Sequence, residues 1–228
     1  MILGIIPFFS NAQTLKSQYQ YKVFPPASIK NMDAASQEYV MQDLRKREGI
    51  FSLVSCNGKI GFSLKEIPDN GIYEVNGNDC VYMDINNNEK YSMQNIIDKP
   101  FLVKDGIRAI DWNISDETKE ILGYTCRKAT HGDTTAWYCE QIPMSIGPSG
   151  AIGLPGLIME MKTQLGIYTA INIKTDKSII EIEMPTKHKA ITRSKFNQTL
   201  RQKLKEMGID GNAGKGTQVK VVTLEIPA

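Results

Sequence analysis

The stretch GPSGAIGLPGLIMEM at residues 147–161 decides how this chain is organised. Its glycines and prolines, which end in the hexamer GLPGLI at residues 153–158, stand directly before an apolar run. Glycine and proline in such a cluster favour a tight turn, and a short apolar run favours a buried strand. We therefore predict a tight turn that leads into a buried strand. This is an architectural feature and not a catalytic one.

Short apolar runs separated by turn residues continue on both sides of this stretch. The clearest turn signals are Asn57-Gly58, the three asparagines at residues 86–88 and Gly132-Asp133, because these residue types tolerate positive φ angles. Regularly spaced turns without helical segments between them predict an antiparallel meander. Its predicted strands cover residues 19–24, 51–56, 60–65, 72–75, 80–85, 91–97, 101–103, 121–129, 134–142, 157–162, 167–173, 178–184 and 218–226.

In two segments the apolar residues recur at helical spacing. Residues 33–47 have Tyr39, Val40 and Leu44 at helical spacing, and we expect this face to pack on the sheet. Residues 195–207 predict a second helix. The fold class is therefore a β-rich α+β domain, a long twisted antiparallel β-meander of half-barrel-like curvature with one or two covering helices.

Composition excludes some classes of protein. The 27 Lys and Arg residues nearly balance 25 Asp and Glu residues and are scattered, which argues against nucleic-acid binding. No run reaches the roughly 18 apolar residues that a membrane-spanning helix needs. No linker divides the chain, so we expect a single domain over residues 13–228.

The N-terminal segment MILGIIPFFSNAQ predicts export. A short apolar run precedes Ser10-Asn11-Ala12, which are typical of a signal-peptidase site with cleavage before Gln13. Residues 1–12 are therefore expected to be a signal peptide of a secreted protein, periplasmic or attached to the cell surface. Because the run has no positively charged start, either the beginning of this signal peptide is truncated or misassigned, or the stretch is a buried strand of the mature fold.

The turn at Gly132-Asp133 sets the register of two cysteines. If these two residues alone form the loop, the residue numbers of every facing pair in the hairpin add up to 265, so Cys126 faces Cys139. The two form a non-hydrogen-bonded pair, in which the Cα atoms are about 4.5 Å apart. We predict a disulfide bond between them. Cys56 and Cys80 could form a second bridge or remain buried thiols. A metal site is the least favoured option, because no two cysteines have CxxC spacing.

No catalytic constellation is visible in the sequence. The two histidines, His131 and His188, have no nucleophile beside them. Glu181 and Glu183 share one face of a predicted strand, where a solvated surface is favoured over an acid and base pair. We therefore expect no enzyme activity, no cofactor and no metal.

Several spaced motifs then give a resemblance. The chain carries DETK at 116–119, GYTCRKAT at 123–130, AWY at 136–138, Ile142-Pro143, Gly147-Pro148 and GLPGLI at 153–158. This ordered set resembles the GLPGLI family of exported Bacteroidetes proteins. The resemblance implies export, no assigned activity and no catalytic residues to transfer. The chain departs from the family pattern at residues 149–152, SGAI, where bulky aromatic residues are common, and at Cys139.

These observations favour a non-catalytic envelope protein that binds an unknown envelope partner. The residues expected to shape its binding surface are Trp137, Pro143, Gly147, Pro148, Gly153, Leu154, Pro155, Gly156, Leu157 and Ile158. The alternative is a periplasmic carrier of a lipid or another apolar ligand, held in a cavity of the curved sheet and lined by Met159, Met161 and Trp137.

Overall fold

The computed structural model describes residues 14–66, 80–96, 99–184 and 188–208. The predicted signal peptide and the predicted strands at 72–75 and 218–226 lie outside these residues. The described residues form two α-helices, α1 at Ala34–Arg45 and α2 at Arg193–Glu206, and two short 3-10 helices at Ala27–Asn31 and Pro148–Gly150. The strands are β1 Thr14–Val23, β2 Gly49–Cys56, β3 Lys59–Glu66, β4 Cys80–Asp84, β5 Glu89–Ile96, β6 Lys99–Asp105, β7 Asn113–Ile121, β8 Tyr124–His131, β9 Thr134–Cys139, β10 Leu157–Lys162, β11 Gly166–Asp176 and β12 Ala190–Thr192.

All twelve strands belong to one open sheet, in the order β12-β6-β5-β4-β3-β2-β1-β11-β10-β9-β8-β7. Every neighbouring pair is antiparallel except β12 and β6, which are parallel. The sheet is thus two meanders that meet where β1 pairs with β11. The β-rich α+β prediction is confirmed, with a mixed sheet in place of a purely antiparallel one.

The connection between β6 and β7 requires this sheet to curl. The two strands stand ten positions apart in the sheet order, which would be about 48 Å in a flat sheet at about 4.8 Å per strand. The eight Cα steps from Asp105 to Asn113 can span at most about 29 Å. A flat sheet is therefore excluded, and the sheet curves so that its far strands approach each other without closing.

Irregular segments cover the main core of the protein. Strands on both sides of the β1–β11 junction contribute Tyr19, Phe51, Phe62 and Tyr138, all fully or almost fully buried. Segments 106–112 and 140–156 close over these side chains and bury apolar residues of their own. Those residues are Ile110, Ile142, Ile146, Ala151 and Leu154. Loops, and not helices, therefore form the second layer of the main core.

Only one helix packs as the sequence predicts. In α2, Phe196 is buried against Phe101, with ring centroids 5.8 Å apart, and joins a separate small core with Val103. In α1 no residue is buried, and Tyr39 is 74% exposed. The prediction that Tyr39 helps to pack α1 on the sheet was wrong, because Val40 and Leu44 are only half-buried and the Tyr39 ring stays in solvent. Exposed ion pairs join Glu38 to Arg45, and Asp43 to Lys46 and Arg47 just beyond the helix.

Three predicted hairpin turns are confirmed. Asn57 and Gly58, with φ angles of 50° and 77°, join β2 to β3, residues 85–88 join β4 to β5, and Gly132-Asp133 join β8 to β9. The strand predicted at 121–129 is instead broken by a turn at Leu122-Gly123. Leu122 adopts a φ of 52°, which its residue type does not favour.

The strand predicted at residues 178–184 was wrong. This segment is irregular and leads from β11 towards β12. Ile182 and Met184 pack against a small cluster that contains Tyr82, Tyr91 and Leu102, while Glu181 and Glu183 are exposed. Apolar and polar residues alternate here because one side of the extended segment packs on the protein and the other faces solvent. This pattern does not require hydrogen bonds to a neighbouring strand. In the part of the chain that the structure describes, no helix has the length and apolarity to cross a membrane.

Candidate functional site

The connection between β9 and β10 is a folded unit, which we call the plug and define as residues 140–156. Backbone hydrogen bonds tie its first half to the start of β10. The amide of Leu157 donates to the carbonyl of Ile142, and the amide of Ile158 donates to the carbonyl of Ile146. Tyr19 in β1 adds a bond from its buried hydroxyl to the carbonyl of Ile158, at 2.7 Å. The predicted turn into a buried strand is confirmed, with the strand at β10.

Two glycines of the hexamer are required by geometry, for different reasons. Gly153 has a φ of +112°, and a Cβ there would stand 2.5 Å from the carbonyl oxygen of Ile110. Gly156 has no positive φ, yet a Cβ there would stand 2.1 Å from the carbonyl oxygen of Cys139. Gly153 is thus fixed by backbone conformation and contact, and Gly156 by contact alone.

Most of the residues predicted to shape a binding surface are buried. Pro143, Gly153 and Pro155 are exposed, and Trp137 is half-buried. The ring of Trp137 is covered by Lys119, whose Nζ lies 4.5 Å from the ring centroid and 2.7 Å from a carboxylate oxygen of Glu160. The buried residues of the set are Gly147, Pro148, Leu154, Gly156, Leu157 and Ile158. The hexamer therefore serves mainly as core, with a small accessible rim.

That rim meets a second tryptophan that the sequence did not single out as a site residue. The indole N–H of Trp112 donates to the carbonyl of Ile152 at 3.1 Å, and the position of a Cβ on Gly153 would be 3.3 Å from Trp112 Cδ1. The ring of His131 stands edge-on to Trp112, with centroids 6.3 Å apart. We call these four residues, Trp112, His131, Ile152 and Gly153, the Trp112 patch.

Each member of the Trp112 patch is held in place. Nδ1 of His131 lies 2.7 Å from the carbonyl oxygen of Asp111, and the amide of Gly153 donates to the hydroxyl of Ser145 at 3.0 Å. Trp112, His131 and Ile152 are partly exposed, and Gly153 is exposed. The patch is missed in sequence because Trp112 and Gly153 are distant along the chain, and neither belongs to a motif with the other. It presents a fixed aromatic surface to solvent.

The described residues present no metal-binding group of three or more His, Cys, Asp or Glu side chains. His131 contacts a backbone carbonyl and an indole ring, and His188 is exposed. The geometry of the patch therefore suits binding by contact and hydrogen bonding, and it offers no nucleophile.

The four cysteines are placed as follows. The β8–β9 register places Arg127 opposite Tyr138, and its next step places Cys126 opposite Cys139, as the predicted sum of 265 requires. Both side chains are fully buried, free thiols. Burial, followed by the neighbouring Cys139, raises the pKa of Cys126 to about 12. The bridge stays a prediction. Cys56 is buried and Cys80 half-buried.

Two open depressions mark the surface of the described residues. One, of about 660 Å³, lies along α2, and the other, of about 610 Å³, lies at the start of α1. Met159 and Met161, expected to line a ligand cavity, are packed in the main core. The carrier hypothesis stays a prediction, and native mass spectrometry for a bound lipid tests it.

Comparison with known proteins finds one family whose model matches part of the chain and solved structures that are similar to it. Residues 131–160 match the family described as "Protein of unknown function (Porph_ging)". This stretch comprises the end of β8, β9, the plug and the first part of β10. No match to the chain is found among curated proteins.

Two solved structures are similar to this chain, "Structure of PNGF-II in P21 space group", which shares the fold, and "Structure of PNGF-II in C2 space group". Both are 16% identical to this chain, with TM-scores of 0.53 and 0.49. Each match covers 83% of this chain and 33% of the PNGF-II chain. The chain thus spans about a third of the length of PNGF-II, and the likeness concerns the fold alone.

Proposed function

We propose that the protein is an exported, non-catalytic binding module of the cell envelope and a member of the GLPGLI family. The observation that carries the binding function is the fixed, partly exposed indole of Trp112, which is hydrogen-bonded to the plug beside Gly153. Family membership is supported by the ordered motifs between residues 116 and 158 and by the match of residues 131–160 to a family of unknown function.

The chemistry of the Trp112 patch suits a protein partner. Tryptophan is enriched among the residues that dominate binding energy at protein interfaces, since it offers a large apolar area with one polar handle. The contribution of a tryptophan to the binding free energy increases when the free protein already holds the ring in place, because less side-chain entropy is lost on binding. Here the N–H bond to Ile152 and the edge contact with His131 supply that order.

The test compares two aromatic truncations. Trp112→Ala and Tyr39→Ala both remove a surface ring, but Tyr39 lies on α1, outside the patch. We expect a partner cross-linked to the wild-type protein in intact cells to be lost in Trp112→Ala and retained in Tyr39→Ala, with both variants folded by circular dichroism. If cross-linking is equal in all three proteins, or is lost only in Tyr39→Ala, the patch is not the binding surface.

Export is tested separately on the protein made in its own cells. We expect the mature chain to begin at Gln13 and to be recovered from the periplasm or the cell surface. An intact N-terminus on protein confined to the cytoplasm would contradict export while leaving the binding experiment unaffected.

A further inference from the structure

A group of polar side chains interrupts the apolar face of the sheet at β5 and β6. Lys90 in β5 is the direct cross-strand partner of Asp105 in β6. Ser92 and Gln94 follow on the same face of β5 and are buried. Arg193, the first residue of α2, reaches into this group. The cluster therefore lies between the main core and the small core under Phe196.

Asp105 is hydrogen-bonded to Arg193 and forms no ion pair with its cross-strand partner Lys90. Its carboxylate accepts two bonds from Nε of Arg193, both at 3.2 Å, and one from Nη2 at 2.7 Å. Nη1 of Arg193 donates to Oε1 of Gln94 at 2.7 Å, and Nε2 of Gln94 donates to the hydroxyl of Ser92 at 3.3 Å. A guanidinium group has five N–H donors, so Arg193 keeps donors beyond those used here.

Lys90 is the member of the cluster that this network leaves out. It has no hydrogen-bond or ion-pair partner among the described residues, although it is only partly exposed. Burial lowers the pKa of Lys90, the charge of Asp105 raises it, and the charge of Arg193 lowers it again. Nζ of Lys90 is not among the fully buried polar atoms that lack a hydrogen-bond partner, so water or a small anion can still reach the ammonium.

The end of Lys90 lies against the plug. A Cβ at Gly150 would stand 3.3 Å from both Cε and Nζ of Lys90, and Gly150 has a φ of +76° that disfavours any side chain there. Gly150 is itself buried, so the plug packs closely against the end of Lys90 and closes this side of the ammonium. Lys90, Arg193 and Asp105 together carry a net charge of +1.

The open depression along α2 begins at the same arginine. It is lined by Arg193, Ser194, Asn197, Gln198 and Arg201, and none of these residues is acidic. This depression therefore favours anions over cations.

We propose that this cluster binds a small oxyanion group, a carboxylate or a phosphate, between the Lys90 ammonium and the Arg193 guanidinium. The anion enters from the side of α2 and supplies the hydrogen bonds and the charge that the protein does not offer to Lys90. The site is separate from the Trp112 patch, and it stands or fails independently of the proposed protein binding.

Inorganic phosphate and acetate serve as probes, each titrated into the full chain at constant ionic strength against chloride. Binding is followed by the melting temperature and by the ¹³Cε resonance of Lys90. Lys90→Met removes the ammonium while keeping the length of the side chain. Lys22→Met removes the same charge from an exposed position on β1.

We expect a saturable rise in melting temperature for the wild-type protein and for Lys22→Met, with apparent affinity at least tenfold weaker in Lys90→Met. A response to phosphate alone assigns a phosphate site, and a response to acetate alone assigns a carboxylate site. The absence of a saturable response to either probe, or an equal response in all three proteins, overturns the proposal. If Lys90→Met does not fold, the ¹³Cε resonance of Lys90 in the wild-type protein serves as the test. A resonance that shifts with neither phosphate nor acetate also overturns the proposal.

Discussion

Gly156 lies so close to Cys139 that a Cβ on the glycine would stand 2.1 Å from the cysteine carbonyl oxygen and 2.6 Å from its carbonyl carbon. Cys139 ends β9, and its register partner is Leu157, the first residue of β10. The contact is therefore between two backbones at the point where the plug joins the sheet. Neither can move without breaking the pairing of β9 and β10.

Gly156→Ala should lower the free energy of unfolding by at least about 2 kcal/mol, since the added methyl group overpacks a site walled by backbone atoms. Urea unfolding followed by circular dichroism measures this loss. Gly132→Ala is the control, because Gly132 has a φ of +52° with no heavy atom within 4 Å of a Cβ position. That change should cost about 1 kcal/mol from backbone strain alone. Equal losses in the two variants would contradict the importance of the Cys139 contact.

The strands and turns were the most predictable part of this fold, because their signals are local. Asn57-Gly58 and Gly132-Asp133 are turns whose residue types favour positive φ angles, and the structure has both. The Leu122-Gly123 turn was missed because only Gly123 is of a residue type that favours positive φ, while Leu122 is not. The 178–184 segment alternates like a strand, but alternation records only which side packs and not whether a neighbouring strand is present.

The candidate site was less predictable, because it depends on long-range contacts. The GLPGLI hexamer was correctly interpreted as a turn into a buried strand, yet burial leaves few of its residues accessible. The partly exposed aromatic residue beside it is Trp112, which the curled sheet brings to Gly153 through the β6–β7 connection. The pairing of β6 with β12 and the resulting position of Arg193 beside Lys90 likewise have no local signal.

In an oxidising compartment, Cys126 and Cys139 should form a disulfide bond. The bridge closes a short loop, and a loop of this size corresponds to about 3 kcal/mol of stabilisation in the chain-entropy model. Intact mass after denaturation and alkylation should show a species two hydrogens lighter with these two sites unmodified, and reduction should lower the melting temperature. Because the pKa of Cys126 is raised to about 12 in the reduced protein, its alkylation at pH 8 should require denaturant. Recovery of both thiols alkylated, from protein freshly isolated from its own cells without reductant, would rule out the bridge.

Phe196→Ala should detach α2 from the sheet. Phe196 is 2% exposed and packs on Phe101, and removing a buried phenyl ring costs about 3–5 kcal/mol. We expect faster amide hydrogen exchange throughout α2 while β1 and β2 keep their protection, because the main core does not include this helix. Met207→Ala, at a residue that is 55% exposed, should leave exchange unchanged. Uniform loss of protection in all strands would show that α2 and the sheet unfold as one unit.

Tyr19 couples the stability of the main core to alkaline pH. Burial raises the pKa of its hydroxyl, which donates to the carbonyl of Ile158, while a hydrogen bond with Ser17 acts in the opposite direction. Above the usual tyrosine pKa of about 10, the unfolded chain loses this proton and the folded chain keeps it. The folded state then binds more protons, so the free energy of unfolding falls as pH rises, by about 1.4 kcal/mol per pH unit for this one residue.

Tyr19→Phe should therefore have two opposite effects. At pH 7 it should lower the free energy of unfolding by about 1 kcal/mol, because the carbonyl of Ile158 loses its partner. Between pH 10 and about pH 11.5 its stability should decline less steeply than that of the wild-type protein, by about 1.4 kcal/mol per pH unit. Urea unfolding at a series of pH values measures both effects, and Tyr39→Phe, at an exposed ring, should follow the wild type throughout. Parallel curves for Tyr19→Phe and the wild type above pH 10 would show that the Tyr19 hydroxyl ionises as readily in the folded protein as in the unfolded chain.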